Sequence, residues 1–348
     1  MGCCESKDTS QGLDKEKIKL FIQTDNLFSL KSIYRYAVHK DKKFDINSIR
    51  YKIDEQLMVT PLGLALLLGH AQIFTTIFQD MNGDFLLMES LFSQAGTSGL
   101  SVICLNNYLV LLQVYLPLYF SNLNPNNTSK LKPNNSQTLN LDSQDLLEKT
   151  KVFLYTPIQL SVECGYISIV SFLKAYASNI TLLPPEIDLH YIDEASGNNC
   201  ALISCKSNNY NMIKFLHSQC QADFNVINNY SENAINVLAI GSIENSTETS
   251  KCLEYIVEKI GIDVLYNYQE TLMMLEDEKS ISYVERKLKD KGINVTKKEL
   301  NGQGVIILQK RPISNTYDTG NRFTFTRLFP ELLKSTQESM RTSENTVK

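Results

Sequence analysis

A six-residue series that occurs twice is the strongest constraint on how this chain can fold. Residues 60–65 read T-P-L-G-L-A, and residues 156–161 read T-P-I-Q-L-S. Each series leads at the same spacing to a turn, Gly69-His70 in the first copy and Gly165-Tyr166 in the second, and then to a run of apolar residues. Such repetition predicts small helical units that bury their apolar faces only by stacking on each other.

Each position of the series has a physical task in a short helix pair. The threonine caps the first helix, proline is tolerated at the first helical position, and the small residue at the sixth position lets the paired helices approach closely. The glycine turns the chain into the second helix. The two series resemble the ankyrin repeat, whose motif reads T-P-L-H-x-A with a later G-H. In that family His70 is a structural residue.

Weaker copies extend the resemblance to roughly residues 13–298. Asn233 begins a copy 33 residues after the copy at Cys200, which is the ankyrin period. We therefore predict an all-α fold, an ankyrin-repeat solenoid of about seven stacked helix-turn-helix units. The weaker copies begin at Ser98, Cys200, Asn233 and Thr271, and a degenerate first unit has helices over 18–22 and 27–38.

Three stretches fall outside this pattern. Residues 1–12 are read as a lipid-anchor segment. Residues 121–150 are rich in Asn, Ser, Gln and Lys and predict a flexible, disordered insertion. Residues 299–348 form a C-terminal extension, in which an apolar segment from Phe323 to Leu333 either caps the array or docks as a peptide, and a disordered tail follows.

The first residues, Met1-Gly2-Cys3-Cys4-Glu5-Ser6, fit the pattern for N-myristoylation. A single myristoyl chain binds membranes only marginally, so stable anchoring needs a second signal. Cys3 and Cys4 supply one if they carry palmitate. We expect lipidation at Gly2, Cys3 and Cys4 and a cytoplasmic protein that is peripheral on a membrane.

Charge bears on the possible partners. The net charge of −4 argues against a general nucleic-acid binder, because neutralising phosphates needs a concentrated basic surface. Basic residues predominate only in the first part of the chain, from Lys15 to Lys43. That run either faces solvent or adds attraction to anionic lipids, and the interspersed acidic residues favour the first interpretation.

No catalytic or metal-binding pattern emerges. The four histidines have no metal-site spacing, and Cys200, Cys205 and Cys220 are expected to pack as buried apolar groups rather than bind a metal. Residues 100–120 have the length of a membrane span, but their polar residues favour a buried helix pair. We expect no cofactor and no enzymatic activity.

The resemblance to ankyrin repeats implies recognition of a protein through a concave surface built from the turns and first helices. We therefore predict a membrane-anchored adaptor or scaffold; the alternative is a regulatory or inhibitory subunit of a membrane-associated enzyme. In that family the residues before each motif lie at exposed turn tips. Tyr155 is the expected anchor of the partner, although packing against the adjacent turn fits it equally. The predicted binding residues are Val59, Tyr155, Asn199, Glu232 and Glu270.

Overall fold

A computed structural model describes residues 8–123, 155–180, 183–243 and 248–302. The described residues belong to two compact units, one over 8–123 and one over 155–302. Gly2, Cys3 and Cys4 lie outside them, as do residues 124–150 of the predicted insertion and residues 303–348 of the predicted extension.

The first unit is built from short helices and one small hairpin. The strands β1 (Tyr51–Lys52) and β2 (Met58–Val59) pair antiparallel, with Tyr51 opposite Val59. A 3-10 turn covers Ile46–Ser48. The helices are α1 (Asp8–Gln23), α2 (Leu27–Lys40), α3 (Pro61–Leu67), α4 (Ala71–Asp80), α5 (Phe85–Gln94), α6 (Gly99–Leu105) and α7 (Leu109–Leu123).

The second unit, within its described ranges, consists of helices joined by loops and turns. A π-helical turn over Ile256–Ile260 directly continues the helix that ends at Tyr255. The helices are α8 (Pro157–Glu163), α9 (Ile167–Ala177), α10 (Cys200–Lys206), α11 (Tyr210–Cys220), α12 (Ala234–Gly241), α13 (Thr249–Tyr255), α14 (Tyr268–Met274), α15 (Glu278–Asp290) and α16 (Lys297–Gly302).

The helices associate as antiparallel pairs whose equivalent members lie side by side. In the first unit α1, α3 and α6 contact one another in a row, and α4 packs on α7. In the second unit α8, α10, α12, α14 and α16 form one row, while α9, α11, α13 and α15 form another. This arrangement confirms the predicted all-α fold of stacked helix-turn-helix units, and the described helix pairs agree in number with the seven expected.

Local chemistry explains where the helices begin. Thr60 accepts a hydrogen bond from the amide of Gly63 at 3.2 Å, and Pro61 occupies the first helical turn. Thr156 and Gln159 form a reciprocal capping box at the start of α8. Helix α3 is buried on all sides, from Pro61 to Leu67, which explains its continuous apolar sequence. The predicted capping role of the threonine is thus confirmed in both strong repeats.

Several boundaries differ from the sequence-based expectations. Helix α1 begins at Asp8, inside the stretch read as an anchor segment, and α7 continues to Leu123, into the predicted insertion. The last repeat begins at Tyr268 rather than Thr271. Helix α5 was not predicted, because it matches no repeat position. Residues 100–120 form the buried pair α6 and α7 that was favoured over a membrane span, with a turn over residues 106–108.

Candidate protein-binding surface

Four of the five predicted binding residues are not at exposed tips. Val59, Tyr155, Asn199 and Glu232 are between 1% and 4% exposed, and Glu270 is half-buried within α14. The expectation of exposure is therefore wrong at the first four positions. Their role in binding stays a prediction that their burial does not favour.

The reason lies in the geometry just before each first helix. Val59, Tyr155 and Glu232 each precede a capping residue with an extended backbone, and all three side chains are buried. Asn199 is itself the cap of α10. Its Oδ1 accepts from the amide of Leu202 at 3.0 Å, and its Nδ2 donates to the carbonyl oxygen of Asp223 at 2.8 Å. These residues hold the turns in place.

The exposed part of the second unit that suits a partner is formed by three loops. They cover residues 183–199, 221–233 and 261–267 and connect consecutive helix pairs. Two of them end at a capping asparagine, Asn199 and Asn233, and Asn267 is the equivalent residue of the third. We call these three segments together the loop surface.

Hydrogen bonds join each loop to the next. The backbone amide of Asn229 donates to the carbonyl oxygen of Ser196 at 3.0 Å, and its Nδ2 donates to that of Glu194 at 2.9 Å. The Nδ2 of Asn267 and the hydroxyl of Tyr266 donate to the carbonyl oxygen of Ser231 at 2.9 and 3.0 Å. Because the loops are bonded to each other, a partner meets a surface already ordered, which lowers the entropic cost of binding.

The first two loops of this surface carry an exposed isoleucine at nearly the same place. Ile192 is 48% exposed and lies seven residues before Asn199. Ile227 is 52% exposed and lies six residues before Asn233. The sequence analysis missed both. Their signal was an apolar residue at an equivalent loop position in consecutive units, where polar residues are usual.

The charge of the loop surface has one sign. Its three segments contain no lysine or arginine. Asp263 is neutralised by Lys291, whose Nζ lies 2.9 Å from Oδ1 and holds the pKa of that carboxyl below its usual value. Burial raises the pKa of Glu186. The carboxylates that are at least partly exposed on this surface are Glu186, Asp188, Asp193, Glu194, Asp223 and Asp263, whereas Glu232 is buried.

The second helices of the last two pairs offer a different environment. An open groove of about 400 Å³ lies along α13 and α15. Nearby, Glu258 accepts a hydrogen bond from the hydroxyl of Tyr283 and pairs with Lys287, which together hold the pKa of its carboxyl below the usual value. The groove is lined by Ser250, Glu278, Lys279, Ser282, Tyr283 and Arg286.

The other residues considered for chemistry are dispersed through the fold. Cys200, Cys205 and Cys220 are buried, as expected from their packing role. Within the described ranges no group of three or more His, Cys, Asp or Glu residues is arranged to hold a metal ion. Burial lowers the pKa of His70 although Asp25 lies 3.6 Å away, so its imidazole is neutral at neutral pH. None of the helices in the described ranges has the length and apolarity to cross a membrane.

Comparison with known proteins adds one structural similarity. No protein-family model and no curated protein matches this sequence. Among solved structures, the chain is similar to the crystal structure of the ankyrin repeat domain of Bcl-3, described as a unique member of the IkappaB protein family. The match covers 78% of this chain and 97% of that one, with 14% sequence identity and a TM-score of 0.46.

Proposed function

We propose that this protein is an adaptor that binds a partner protein through the loop surface of its second unit while N-terminal lipids hold it at the cytoplasmic face of a membrane. The observation that carries the binding part is the pair of exposed isoleucines, Ile192 and Ile227, on loops that hydrogen bonds fix to one another. Stacked helix pairs of this kind are binding scaffolds, and we propose a binding role rather than a catalytic one.

The chemistry of the surface narrows the partner. Exposed isoleucines favour an apolar contact, and a surface without lysine or arginine favours a partner with positive charge. The expected partner therefore presents a segment that combines apolar and basic side chains. Because much of the attraction is between partly exposed charges, binding should weaken as salt concentration rises.

A double substitution tests the loop surface. Ile192→Ser with Ile227→Ser removes the apolar contact, and the stability should stay within about 0.5 kcal/mol because both side chains are exposed. Ile243→Ser is the matched control, since Ile243 is 53% exposed and lies outside the three loops. Affinity capture from cells with mass spectrometry should lose specific partners only with the double variant. Equal capture by all three proteins would contradict the proposal.

The anchoring part rests on the residues Met1-Gly2-Cys3-Cys4 and has its own test. Gly2→Ala prevents N-acylation, and Cys3→Ser with Cys4→Ser leaves only the myristoyl chain. Fractionation of expressing cells should find the wild type with membranes, the cysteine variant divided between fractions and Gly2→Ala in the soluble fraction. A membrane fraction unchanged in Gly2→Ala would refute the anchor. Thioester acylation of Cys3 and Cys4 is reversible, so its removal would weaken membrane binding and release part of the protein.

The same capture experiment separates the adaptor from the regulatory alternative. A cytoskeletal or integral membrane protein that depends on Ile192 and Ile227 supports an adaptor. A kinase, phosphatase or other enzyme whose activity changes on binding supports a regulatory or inhibitory subunit.

A further inference from the structure

Helix α2 of the first unit presents an exposed face with an unusual composition. One side of the helix carries four residues at successive spacings of four, three and four: Phe28, Ser32, Arg35 and His39. All four are exposed. Phe28 is 85% exposed, more than any other large apolar side chain in the described part of the chain.

Unpaired cations outnumber carboxylates at the C-terminal end of this face, where Asp41 and Asp45 are the exposed acidic residues. Helix α2 contains no aspartate or glutamate. Two of its lysines are neutralised within the unit: Lys31 lies 3.0 Å from Asp80, and Lys40 lies 3.9 Å from Asp14. Arg35 has no ion-pair partner among the described residues, and neither do Lys42 and Lys43, which are exposed just after the helix.

We propose that this face of α2 binds an anionic lipid surface, with Phe28 inserted among the headgroups and Arg35, Lys42 and Lys43 against the lipid phosphates. A protruding aromatic ring on the same helix face as an unpaired arginine suits the interface of a bilayer, where apolar insertion and electrostatic attraction add. Tyr36, 56% exposed beside this face, is of the residue type enriched at that depth. A protein partner would be expected to meet a broader apolar patch than one ring.

The position in the chain agrees with this assignment. Helix α1 begins at Asp8, and the segment from Gly2 to Asp8 spans at most roughly 20 Å when fully extended. An acylated Gly2 would therefore keep the start of α1 within that distance of the bilayer surface, and α2 packs on α1. In this respect the inference rests on the proposed function. The face would supply a constant attraction beside the reversible one from palmitate, so loss of palmitate would weaken membrane binding without abolishing it.

Vesicle binding by the full-length, unacylated protein tests the inference separately from the lipid anchor. The probes are vesicles of phosphatidylcholine alone and of phosphatidylcholine with phosphatidylserine in a ratio of roughly 7:3. Co-sedimentation should detect binding only to the second kind, and binding should fall as salt rises. Phe28→Ala should weaken it roughly tenfold. Arg35→Gln with Lys42→Gln should weaken it by about 25-fold, since each cation contributes about a factor of five.

Matched controls separate this face from general effects of charge and exposure. Val110→Ala changes another exposed apolar side chain of the first unit, which is 66% exposed on α7. Lys214→Gln with Lys289→Gln removes the same charge from exposed positions of the second unit. Both controls should bind vesicles like the wild type.

Three outcomes would overturn the inference. The first is no binding to phosphatidylserine vesicles, even if the acylated protein fractionates with membranes, which would leave the proposed anchor standing. The second is equal weakening by the control variants. The third is self-association in sedimentation velocity that Phe28→Ala abolishes while vesicle binding stays unchanged, which would assign the face to a second copy of the chain. Conversely, vesicle binding together with an unchanged membrane fraction of Gly2→Ala would refute the anchor alone.

Discussion

The hydroxyl of Tyr115 donates a hydrogen bond of 2.7 Å to Oε1 of Glu89 in the interior of the first unit. The amide of Gly99 donates to the other carboxyl oxygen at 3.3 Å. Both side chains are buried, and no cation faces the carboxyl among the contacts described. Burial raises the pKa of Glu89 to about 7, although the two hydrogen bonds oppose the shift.

This buried carboxyl should make the stability of the first unit fall as pH rises. Between the ordinary pKa of 4.5 and about 7, the folded chain holds a proton that the unfolded chain has released. The stabilisation is therefore complete below pH 4.5 and is lost as pH rises through 7, to a total of roughly 3 kcal/mol. Glu89→Gln should remove most of this dependence, because it keeps the shape without the charge.

Hydrogen exchange of the α5 segment at pH 5 and pH 8 measures the effect locally. The wild type should be less protected at pH 8, after correction for the intrinsic exchange rate, and Glu89→Gln should be similarly protected at both values. Glu55→Gln, an exposed substitution in the same unit, should behave like the wild type. A pH dependence that persists in Glu89→Gln would show that another group causes it.

The turn glycines of the strong repeats give a second prediction. Gly165 has a φ of +77°, and a Cβ there would collide with the side-chain amide of Asn209 in the next helix pair. Gly292 has a φ of +82° with open space around it. Gly165→Ala should therefore cost about 3 kcal/mol, from backbone strain and collision together, against about 1 kcal/mol for Gly292→Ala.

Thermal or urea unfolding of the second unit compares the two glycine variants. Asn209→Ser keeps an oxygen that can cap α11 and shortens the side chain, so adding it to Gly165→Ala should restore part of the loss. Equal destabilisation by Gly165→Ala and Gly292→Ala would mean that the side chain of Asn209 moves aside without a loss of stability.

The sequence predicted those parts of the fold in which local chemistry and stacking require the same residue. Thr60, Thr156 and the turn glycines are such positions, because capping and a positive φ each restrict the residue type. Helix α5 was missed because its contacts are specific to this chain, and the helical spacing of Phe85, Met88 and Phe92 was the available signal. The exposed tips were misplaced because a shift of one residue along an extended segment exchanges inward and outward side chains.

Buried thiols provide a third prediction, on local opening of the second unit. Burial raises the pKa of Cys252 to about 12, and it raises those of Cys200 and Cys205 as well. Cys164 is exposed at the end of α8. Iodoacetamide followed by mass spectrometry should label Cys164 at least about 100-fold faster than Cys205 in the native protein, because Cys205 reacts only after opening. Similar rates in the native state would mean that α10 opens easily.

Substitutions of Asn199 test whether this residue holds the loop surface in place or contacts the partner. Asn199→Ala removes the cap of α10 and leaves the carbonyl oxygen of Asp223 without that donor. The expected loss of stability is about 1–2 kcal/mol, measured by urea unfolding. Asn199→Ser should recover much of it, since serine also caps helices. Asn211→Ala, an exposed change on α11, should have little effect.

In partner capture we expect the opposite order of effects: Asn199→Ala should have little effect, and the double isoleucine variant should have a large one. Because Asn199 is only 4% exposed, Asn199→Ala should still capture the partner wherever it is folded. Ile192→Ser with Ile227→Ser should lose the partner while unfolding at the same urea concentration as the wild type. If Asn199→Ala abolishes capture at a temperature where circular dichroism shows it fully folded, the side chain contacts the partner directly and the loops rearrange on binding.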